Sequence, residues 1–252
     1  MTPYFRSIET VPAAAWQAAL GLADDEIPDA VIVEGSWWRA ERQAWRLSYL
    51  TEVRELGFPD LFWGKWGDKK VVFALAYGAA RAGEVIYLFS RLGARLAIQL
   101  GTCGGLQSQL RPGDIILPEQ ALAQDGVAQF YSQSELVPAD PIWLAHAETA
   151  LRERNLTVHR GPHVTFASLF AETPAMMHAW HEAGYLGVDM ETATTLAVAR
   201  QHGVPALALL AVWDDLSRGR SFLDPLAEDE LAALNQANEA VYEVALGLVG
   251  RL

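Results

Sequence analysis

Residues 96–106 read Leu-Ala-Ile-Gln-Leu-Gly-Thr-Cys-Gly-Gly-Leu, an apolar run that passes into a glycine-rich segment. The apolar run at 96–100 has the length and composition of a strand buried on both faces of a sheet. Glycines after such a strand predict a tight turn whose backbone N–H groups are open to a phosphate or to a sugar oxygen. A plain turn without a ligand fits the same residues, and no Gly-Lys-Ser/Thr follows to make a nucleotide-binding P-loop.

Similar apolar runs recur along the chain on both sides of this segment. They are predicted as buried strands at residues 30–33, 71–77, 96–100, 114–117, 186–190 and 205–212. Longer stretches with helical character separate them, and strands that alternate with helices predict βαβ units with a mostly parallel or mixed sheet. The chain contains no repeat, low-complexity tract or flexible linker, so we expect a single α/β domain over residues 1–252.

Helix boundaries are marked by capping residues, prolines and glycines. A capping oxygen stands directly before a proline at three places, Asp140-Pro141, Thr173-Pro174 and Asp224-Pro225. Proline suits the first helical position because its φ is fixed and it has no N–H to leave unpaired. These helices are expected to end near Asn155, His181 and Gly247, and two more, at 83–92 and 191–202, are expected to end at Gly93 and Gly203.

Composition excludes several functional classes. The formal charge of −12 argues against a nucleic-acid binder, because phosphate backbones are held by clustered Lys and Arg. Cys103 is the only cysteine, so an internal disulfide is impossible and a multi-cysteine zinc site is excluded. The histidines show no metal-ligand spacing, so no metal is expected.

The apolar runs are also too short for a membrane-spanning helix, and the first residues do not resemble an export signal. The longest has about ten residues, against the ~20 needed to span a bilayer, and residues 1–9 lack the apolar core of a signal peptide. With a single cysteine, these features predict a cytoplasmic protein without a membrane partner.

Two acidic segments lie at the ends of predicted strands. Residues 187–193 read Gly-Val-Asp-Met-Glu-Thr-Ala, and residues 212–215 read Val-Trp-Asp-Asp. Side chains at a strand's carboxyl end project into the crevice where α/β sheets bind ligands. A carboxylate there can accept hydrogen bonds from both hydroxyls of a ribose. A carboxyl group that is shielded from water has a raised pKa and can donate a proton to a departing base. The alternatives are that these acids complement a helix amino terminus or cap a turn.

Taken together, these segments resemble the nucleoside phosphorylase family, which includes purine nucleoside phosphorylase, uridine phosphorylase and the related nucleosidases. The resemblance lies in the glycine-rich residues 101–106, the following Leu-Arg-Pro-Gly-Asp-Ile-Ile-Leu-Pro at 110–118, and Val-Asp-Met-Glu-Thr-Ala at 188–193. It covers roughly residues 30–215. It implies a three-layer α/β/α fold with a twisted mixed central sheet.

The resemblance also implies roles for individual residues. Asp214 matches the proton donor of the purine-specific members and is the expected catalytic residue. Glu191 would hold the ribose hydroxyls, with Met190 under the sugar and Thr102 touching ribose or phosphate. The remaining expected contacts are Phe170, Asp189, Cys103 and Gly104 with the base, and Arg39, Arg54, Thr102 and Gly35 with phosphate.

This chain departs from the family pattern mainly at the expected phosphate site. Ser36 and Trp37 replace an aspartate and a proline, Val53 replaces a histidine before Arg54, and Gln99 replaces an arginine. Glutamine supplies no positive charge, so the fixed charge for phosphate is reduced. The Gln and Arg that follow the aromatic residue in uridine-specific members are missing after Phe170, which disfavours uracil.

The resemblance therefore implies a pentosyltransferase that cleaves a purine nucleoside with inorganic phosphate, giving the free base and a (deoxy)ribose 1-phosphate. Phosphate would be the co-substrate and no cofactor is expected. Two alternatives stay open: a phosphate-independent nucleoside hydrolase of the same fold, and a non-catalytic nucleoside-binding protein. The family also implies a homodimer or homohexamer, with Arg54 lent to the neighbouring subunit's site in hexameric members.

Overall fold

The computed structural model describes residues 7–252, so Met1 to Arg6, which enter the expectations about an export signal and a single domain, lie outside it. Within this range the chain forms ten strands, β1 Ala30–Gly35, β2 Thr51–Glu55, β3 Leu61–Trp66, β4 Lys69–Leu75, β5 Leu96–Gly105, β6 Ile115–Gln124, β7 Leu136–Pro138, β8 Val158–Phe166, β9 Gly187–Asp189 and β10 Ala206–Asp215. Its seven α-helices are α1 Ala13–Leu20, α2 Arg39–Leu47, α3 Ala79–Leu92, α4 Pro141–Arg152, α5 Pro174–Glu182, α6 Thr192–Gln201 and α7 Glu228–Val249.

All ten strands belong to one mixed sheet with β5 at its centre. β5 runs parallel to β1 and β10 and antiparallel to β9. The pairings of β10 with β6, β6 with β8 and β8 with β9 close a ring that returns to β5, while β1, β4, β3 and β2 extend from β5 as an open arm. Several strands therefore converge on the carboxyl end of β5.

Helices cover both faces of the sheet. α3 packs with both α1 and α6 on one face, and α4 and α7 pack with each other on the opposite face. Strands covered on both faces are apolar at consecutive positions, and all residues of β1 except Gly35 are buried. The expected three-layer α/β/α fold with a mixed central sheet is confirmed.

Two of the three proline-marked helix starts are confirmed. Asp140 Oδ1 accepts hydrogen bonds from the Ile142 and Trp143 N–H groups at the start of α4, and Thr173 Oγ1 accepts one from the Met176 N–H in α5.

The start at Asp224 is wrong, because α7 begins at Glu228. Asp224 instead accepts hydrogen bonds from the Ser221 N–H and hydroxyl in a preceding turn. The helix starts where Glu230 accepts a hydrogen bond from the Ala227 N–H, behind a first turn that is rich in acidic side chains.

The predicted turn after residue 100 is also wrong, because β5 continues through the glycines to Gly105. Gly101, Gly104 and Gly105 all have negative φ, so their role is close packing and not a left-handed turn. A Cβ on Gly104 would lie 2.4 Å from Leu216 Cδ1. The extended strand brings Thr102 and Cys103 beside β10, and it brings Gly104 and Gly105 beside β9.

Candidate active site

One cavity of about 840 Å³, including space that opens to solvent, lies where the ends of β1, β5, β9 and β10 meet. The glycine-rich segment and both acidic segments contribute to its wall, together with residues that the sequence did not single out. The wall is formed by Glu34, Gly35, Ser36, Trp37, Trp38, Arg42, Tyr77, Thr102, Cys103, Gly104, Leu169, Glu172, Val188, Asp189, Met190, Glu191, Trp213, Asp214, Leu216 and Phe222.

Glu191 is held against the end of β1. Its Oε1 accepts a hydrogen bond of 2.6 Å from the Gly78 N–H, and the residue is 4% exposed. A Cβ built on Gly35 would lie 2.7 Å from Glu191 Cδ, so only glycine leaves room for this carboxyl. Burial and the nearby negative charge of Asp189 raise the pKa of Glu191 to about 8. Hydroxyl donors from a bound ligand would favour its ionised form.

Asp189 lies in the same wall, but both of its carboxylate oxygens are bonded within the chain. Oδ1 accepts from the Thr165 hydroxyl at 2.8 Å, and Oδ2 accepts from the Thr192 N–H and hydroxyl at 3.0 and 2.6 Å. Asp189 thus complements the amino terminus of α6, the alternative considered for this acidic pair. Glu191 does not serve α6 in this way.

Gln99, which stands where the family pattern has an arginine, belongs to the same buried network. Its Oε1 lies 2.8 Å from the Thr192 hydroxyl oxygen, and its Nε2 donates to the Leu100 carbonyl at 3.1 Å. The side chain is fully buried and is not among the residues of the cavity wall. Gln99 therefore supports the base of the site and adds no charge to it.

Asp214 follows a bulge in β10 and is largely buried in the wall. Its Oδ1 is buried without a hydrogen-bond partner in the described part of the chain. Burial, with a smaller contribution from the charge of Asp224, raises the pKa of Asp214 to about 7. A carboxyl that is half protonated near neutral pH and has no internal partner can donate a proton to a bound molecule.

Glu172 is a second such carboxyl, which the sequence did not single out. Burial and the charge of Asp214 raise its pKa to about 7. Glu172 directly follows the short 3₁₀ turn Leu169–Ala171. It lines the cavity, whereas the predicted Phe170 does not.

Four other predicted residues also line the cavity: Met190 beside Glu191, and Thr102, Cys103 and Gly104 on β5. Cys103 is 5% exposed, and burial raises the pKa of its thiol well above the ordinary value. A thiol kept neutral is a poor nucleophile, so Cys103 contributes shape to the cavity.

Three predicted residues lie outside the wall. Arg39 forms an ion pair with Asp60, and its side chain is 59% exposed. Arg54 donates to Glu26 Oε2 at 2.7 Å. Phe170 is 86% exposed, with its ring centroid 6.2 Å from that of Trp37.

Within residues 7–252, Arg42 is the one cationic side chain in the wall, and the sequence did not single it out. Its side chain is 15% exposed, and Nη1 lies 3.7 Å from Glu34 Oε1. Burial lowers the pKa of the Arg42 guanidinium, although the charge of Glu34 opposes this. Arg42 lies one helical turn after Arg39, so a helix predicted over 39–47 would have put it on the same side.

Aromatic rings surround the mouth of the cavity. The rings of Trp38 and Trp213 are stacked with centroids 5.0 Å apart, which ties the start of α2 to the end of β10. Trp37 makes edge contacts with Tyr77 and Phe222 at 5.8 and 5.7 Å. These rings provide planar apolar surfaces on which a flat heterocycle can pack.

Residues 7–252 contain no group of three or more His, Cys, Asp or Glu side chains placed to hold a metal ion. In the same range, no helix combines the length and apolar character needed to cross a membrane.

Comparison with known proteins yields several relatives. The chain is 29% identical to guanosine phosphorylase from Halorubrum lacusprofundi over 155 residues, which are 61% of this chain and 64% of that protein. The match thus spans less than two thirds of that relative. Purine nucleoside phosphorylase of the DeoD type from Roseobacter denitrificans is 28% identical over 236 residues, covering 90% of this chain and 97% of that protein.

The fold is shared with a solved structure. Uridine phosphorylase from Vibrio fischeri superposes with a TM-score of 0.78 at 19% identity, covering 91% of this chain and 95% of that one. At this identity the likeness concerns the fold alone. The sequence model of the phosphorylase superfamily matches residues 30–249, which is most of the chain and includes the cavity. The chain therefore belongs to the phosphorylase superfamily, within the nucleoside phosphorylase family that its motifs resemble.

Proposed function

We propose that this protein is a pentosyltransferase that cleaves the N-glycosidic bond of a purine nucleoside with inorganic phosphate, giving free base and (deoxy)ribose 1-phosphate. The observation that carries the proposal is Asp214, a buried carboxyl with pKa near 7 and an unpartnered oxygen, in the same cavity as Glu191. The names of the relatives, a guanosine phosphorylase and a purine nucleoside phosphorylase, support the choice of a purine.

In this mechanism Glu191 accepts hydrogen bonds from the ribose 2′ and 3′ hydroxyls, and Met190 packs under the sugar. The bond between the anomeric carbon and the base breaks with its electron pair going to the base, and Asp214 donates its proton to a ring nitrogen of the purine. A phosphate oxygen then bonds to the anomeric carbon, and Asp214 regains a proton from solvent. Nearby negative charge stabilises the ribosyl cation that develops between these steps.

The base would lie between the aromatic mouth and β5, near Cys103 and Gly104. Phe170 can close over it only by moving, since its ring is now largely exposed. Asp189 contributes indirectly, because its oxygens are occupied by Thr165 and Thr192. Thr102 and Gly35 border the space next to Glu191 that phosphate would occupy.

Hydrolysis is the second candidate, and the charge of the wall favours it. Among residues 7–252, the cavity wall contains five carboxyl groups, those of Glu34, Glu172, Asp189, Glu191 and Asp214, and one cationic group, that of Arg42. Those of the five that are ionised disfavour an anionic acceptor, which leaves water as the attacking group.

The test is release of free base from purine and pyrimidine nucleosides with and without inorganic phosphate. The proposal predicts phosphate-dependent release from inosine or guanosine, little release from uridine, and a sugar 1-phosphate as product. Equal release without phosphate would establish the hydrolase instead. Tight binding of nucleoside in a calorimeter without any release would establish a binding protein.

We also propose that the chain forms a homodimer or homohexamer. Arg54 lies outside the cavity of its own chain, so it can act at a site only in a neighbouring subunit, after leaving Glu26. Light scattering coupled to size-exclusion chromatography should give a mass of two or six chains. A monomer that is active at the same concentration would remove Arg54 from the account.

A further inference from the structure

The helix α2 presents a row of three arginines at positions 39, 42 and 46, spaced so that they lie along one side. They differ in whether their guanidinium groups are already paired with partners inside the protein. Arg39 pairs with Asp60 at the surface. Arg46 is fully buried and donates from Nε and Nη2 to both oxygens of Glu34, at 2.8 and 3.0 Å, and from Nη1 to the Asn238 carbonyl at 2.8 Å.

Arg42, between them, has no such partners. Its Nη1 is buried without a hydrogen bond, and no other side-chain hydrogen bond of Arg42 is found among residues 7–252. Glu34, at 3.7 Å, is beyond hydrogen-bond distance and already receives two hydrogen bonds from Arg46. A buried guanidinium with unused donors is costly unless an acceptor arrives.

The position of Arg42 shows which part of the cavity that acceptor would enter. Glu34 and Gly35 at the end of β1 pair with Leu100 and Gly101 of β5, so Arg42 approaches the cavity beside the start of the glycine-rich segment. Thr102 and Ser36, which carry hydroxyl groups, also line the cavity.

The local charge also favours an anion at this one place. Arg46 neutralises Glu34, which leaves the positive charge of Arg42 as surplus in a wall that is otherwise acidic. A planar guanidinium with free donors binds a tetrahedral oxyanion through two oxygens.

We infer that Arg42, and not Arg39, is the residue that binds inorganic phosphate in this cavity, in place of the positive charge that Gln99 does not supply. The inference rests on the proposed function in that the bound phosphate is the attacking group. Glu34, which is held in place by its buried ion pair with Arg46, lies next to Arg42.

The experiment compares Arg42→Gln, Arg42→Lys and Arg39→Gln with the unaltered protein, by calorimetric titration with inorganic phosphate and by kinetics with phosphate or inosine varied. Arg200→Gln, an exposed change on α6, controls for the loss of one positive charge. Arg42→Gln should weaken phosphate binding and raise its KM by roughly 10- to 100-fold, as expected for the loss of charged hydrogen bonds. The KM for inosine should change less than about threefold on the same reasoning.

Arg42→Lys keeps the charge but not the two-pronged geometry, so an intermediate effect is expected. It also provides the test if the glutamine variant fails to fold, since an unchanged phosphate affinity in the lysine variant with loss in Arg39→Gln would overturn the inference. A purely structural role for Arg42 would lower kcat or Tm without a selective effect on phosphate.

Failure of the inference is distinguishable from failure of the proposed function. Sugar 1-phosphate formation with an unchanged phosphate KM in Arg42→Gln overturns the inference and leaves the function intact. Phosphate binding that is lost in Arg42→Gln, combined with base release that needs no phosphate, supports the inference and overturns phosphorolysis. Absence of phosphate binding to the unaltered protein overturns the inference.

Discussion

At the scale of single residues, the sequence located three acids of the cavity, Asp189, Glu191 and Asp214, but not its cation. Glu191 and Asp214 were recognisable because acidic residues directly follow apolar strands, and strand ends meet at a ligand crevice. Arg42 was not, because its place depends on α2, whose first residues include no capping side chain to mark the helix. Glu172 was missed because its place in the cavity wall follows from the 3₁₀ turn that precedes it and not from a sequence pattern.

Asp214→Asn tests the proposed proton donor. If protonation of the base limits the rate, kcat with inosine should fall by about 10²–10⁴-fold, the range of well-placed general acids. With 7-methylguanosine, whose base is already cationic and leaves without a further proton, the loss should be less than about tenfold. Steady-state kinetics measure both values, and an equal loss with the two substrates would remove Asp214 from that role.

Gly35→Ala tests whether the close contact with Glu191 positions the ribose. The new Cβ would lie 2.7 Å from Glu191 Cδ, so the carboxyl must move. A displacement of about 1 Å costs on the order of 100-fold in rate, and we expect that loss with inosine.

Gly247→Ala is the matched control, because Gly247 lies in α7 with open space around it. It should leave activity unchanged and raise the free energy of unfolding by roughly 0.5–1 kcal/mol. Full activity of Gly35→Ala would show that the cavity tolerates a different position of Glu191.

At the scale of elements, the strands with unbroken apolar runs and most of the capped helices were predictable. The strands that depend on pairing with distant parts of the chain were not. β8 contains Gly161, Pro162 and two histidines, so its sequence lacks a strand pattern, yet it pairs with β6 along nearly its whole length. β2 is largely exposed and is defined by its pairing with β3. The glycine-rich part of β5 is a strand because three neighbouring strands pair with that end of the sheet.

The attachment of α2 to the sheet depends on Arg46. Arg46→Met would leave the Glu34 charge buried and short of partners, so the free energy of unfolding should fall by about 3–5 kcal/mol. Urea unfolding monitored by circular dichroism measures this change.

The double variant Glu34→Gln/Arg46→Met removes the stranded charge and should recover most of that loss. Lys65→Met, in an exposed pair with Glu52, should cost no more than about 1 kcal/mol. If Arg46→Met behaved like the Lys65 variant, the buried pair would not hold α2 in place.

At the scale of the whole molecule, the layered α/β fold followed from the alternation of strands and helices, whereas closure of the sheet did not. The ring requires β9 to run antiparallel to β5, a pairing between segments more than 80 residues apart that no local pattern records. This closure brings the 187–193 segment to the glycines of β5 and so assembles the cavity.

The cavity acids also affect the stability of the whole protein. The pKa values of Asp214 and Glu172 are raised to about 7, and that of Glu191 to about 8. A raised folded-state pKa contributes stability that is present at low pH and is lost as pH rises through the folded value. We therefore expect Tm to fall between about pH 5 and about pH 8.5.

At acidic pH, stability changes with pH in the opposite direction. Hydrogen bonds from Arg220 and the Ala227 N–H lower the pKa of Glu230 to about 2, so its contribution is lost as pH falls from about 4.5 through that value. Thermal unfolding across this pH range locates the maximum. The double variant Asp214→Asn/Glu172→Gln should flatten the alkaline decline, and an unchanged decline in that variant would contradict the assignment.

The most direct test of the central claim, transfer of a ribosyl group to phosphate, is turnover of inosine in ¹⁸O-labelled water with unlabelled inorganic phosphate. Mass spectrometry and phosphorus NMR then identify the sugar product. Phosphorolysis gives ribose 1-phosphate without ¹⁸O, formed in step with hypoxanthine, and this is the result we expect. Free ribose carrying ¹⁸O at its anomeric carbon, formed at the same rate without phosphate, would contradict it.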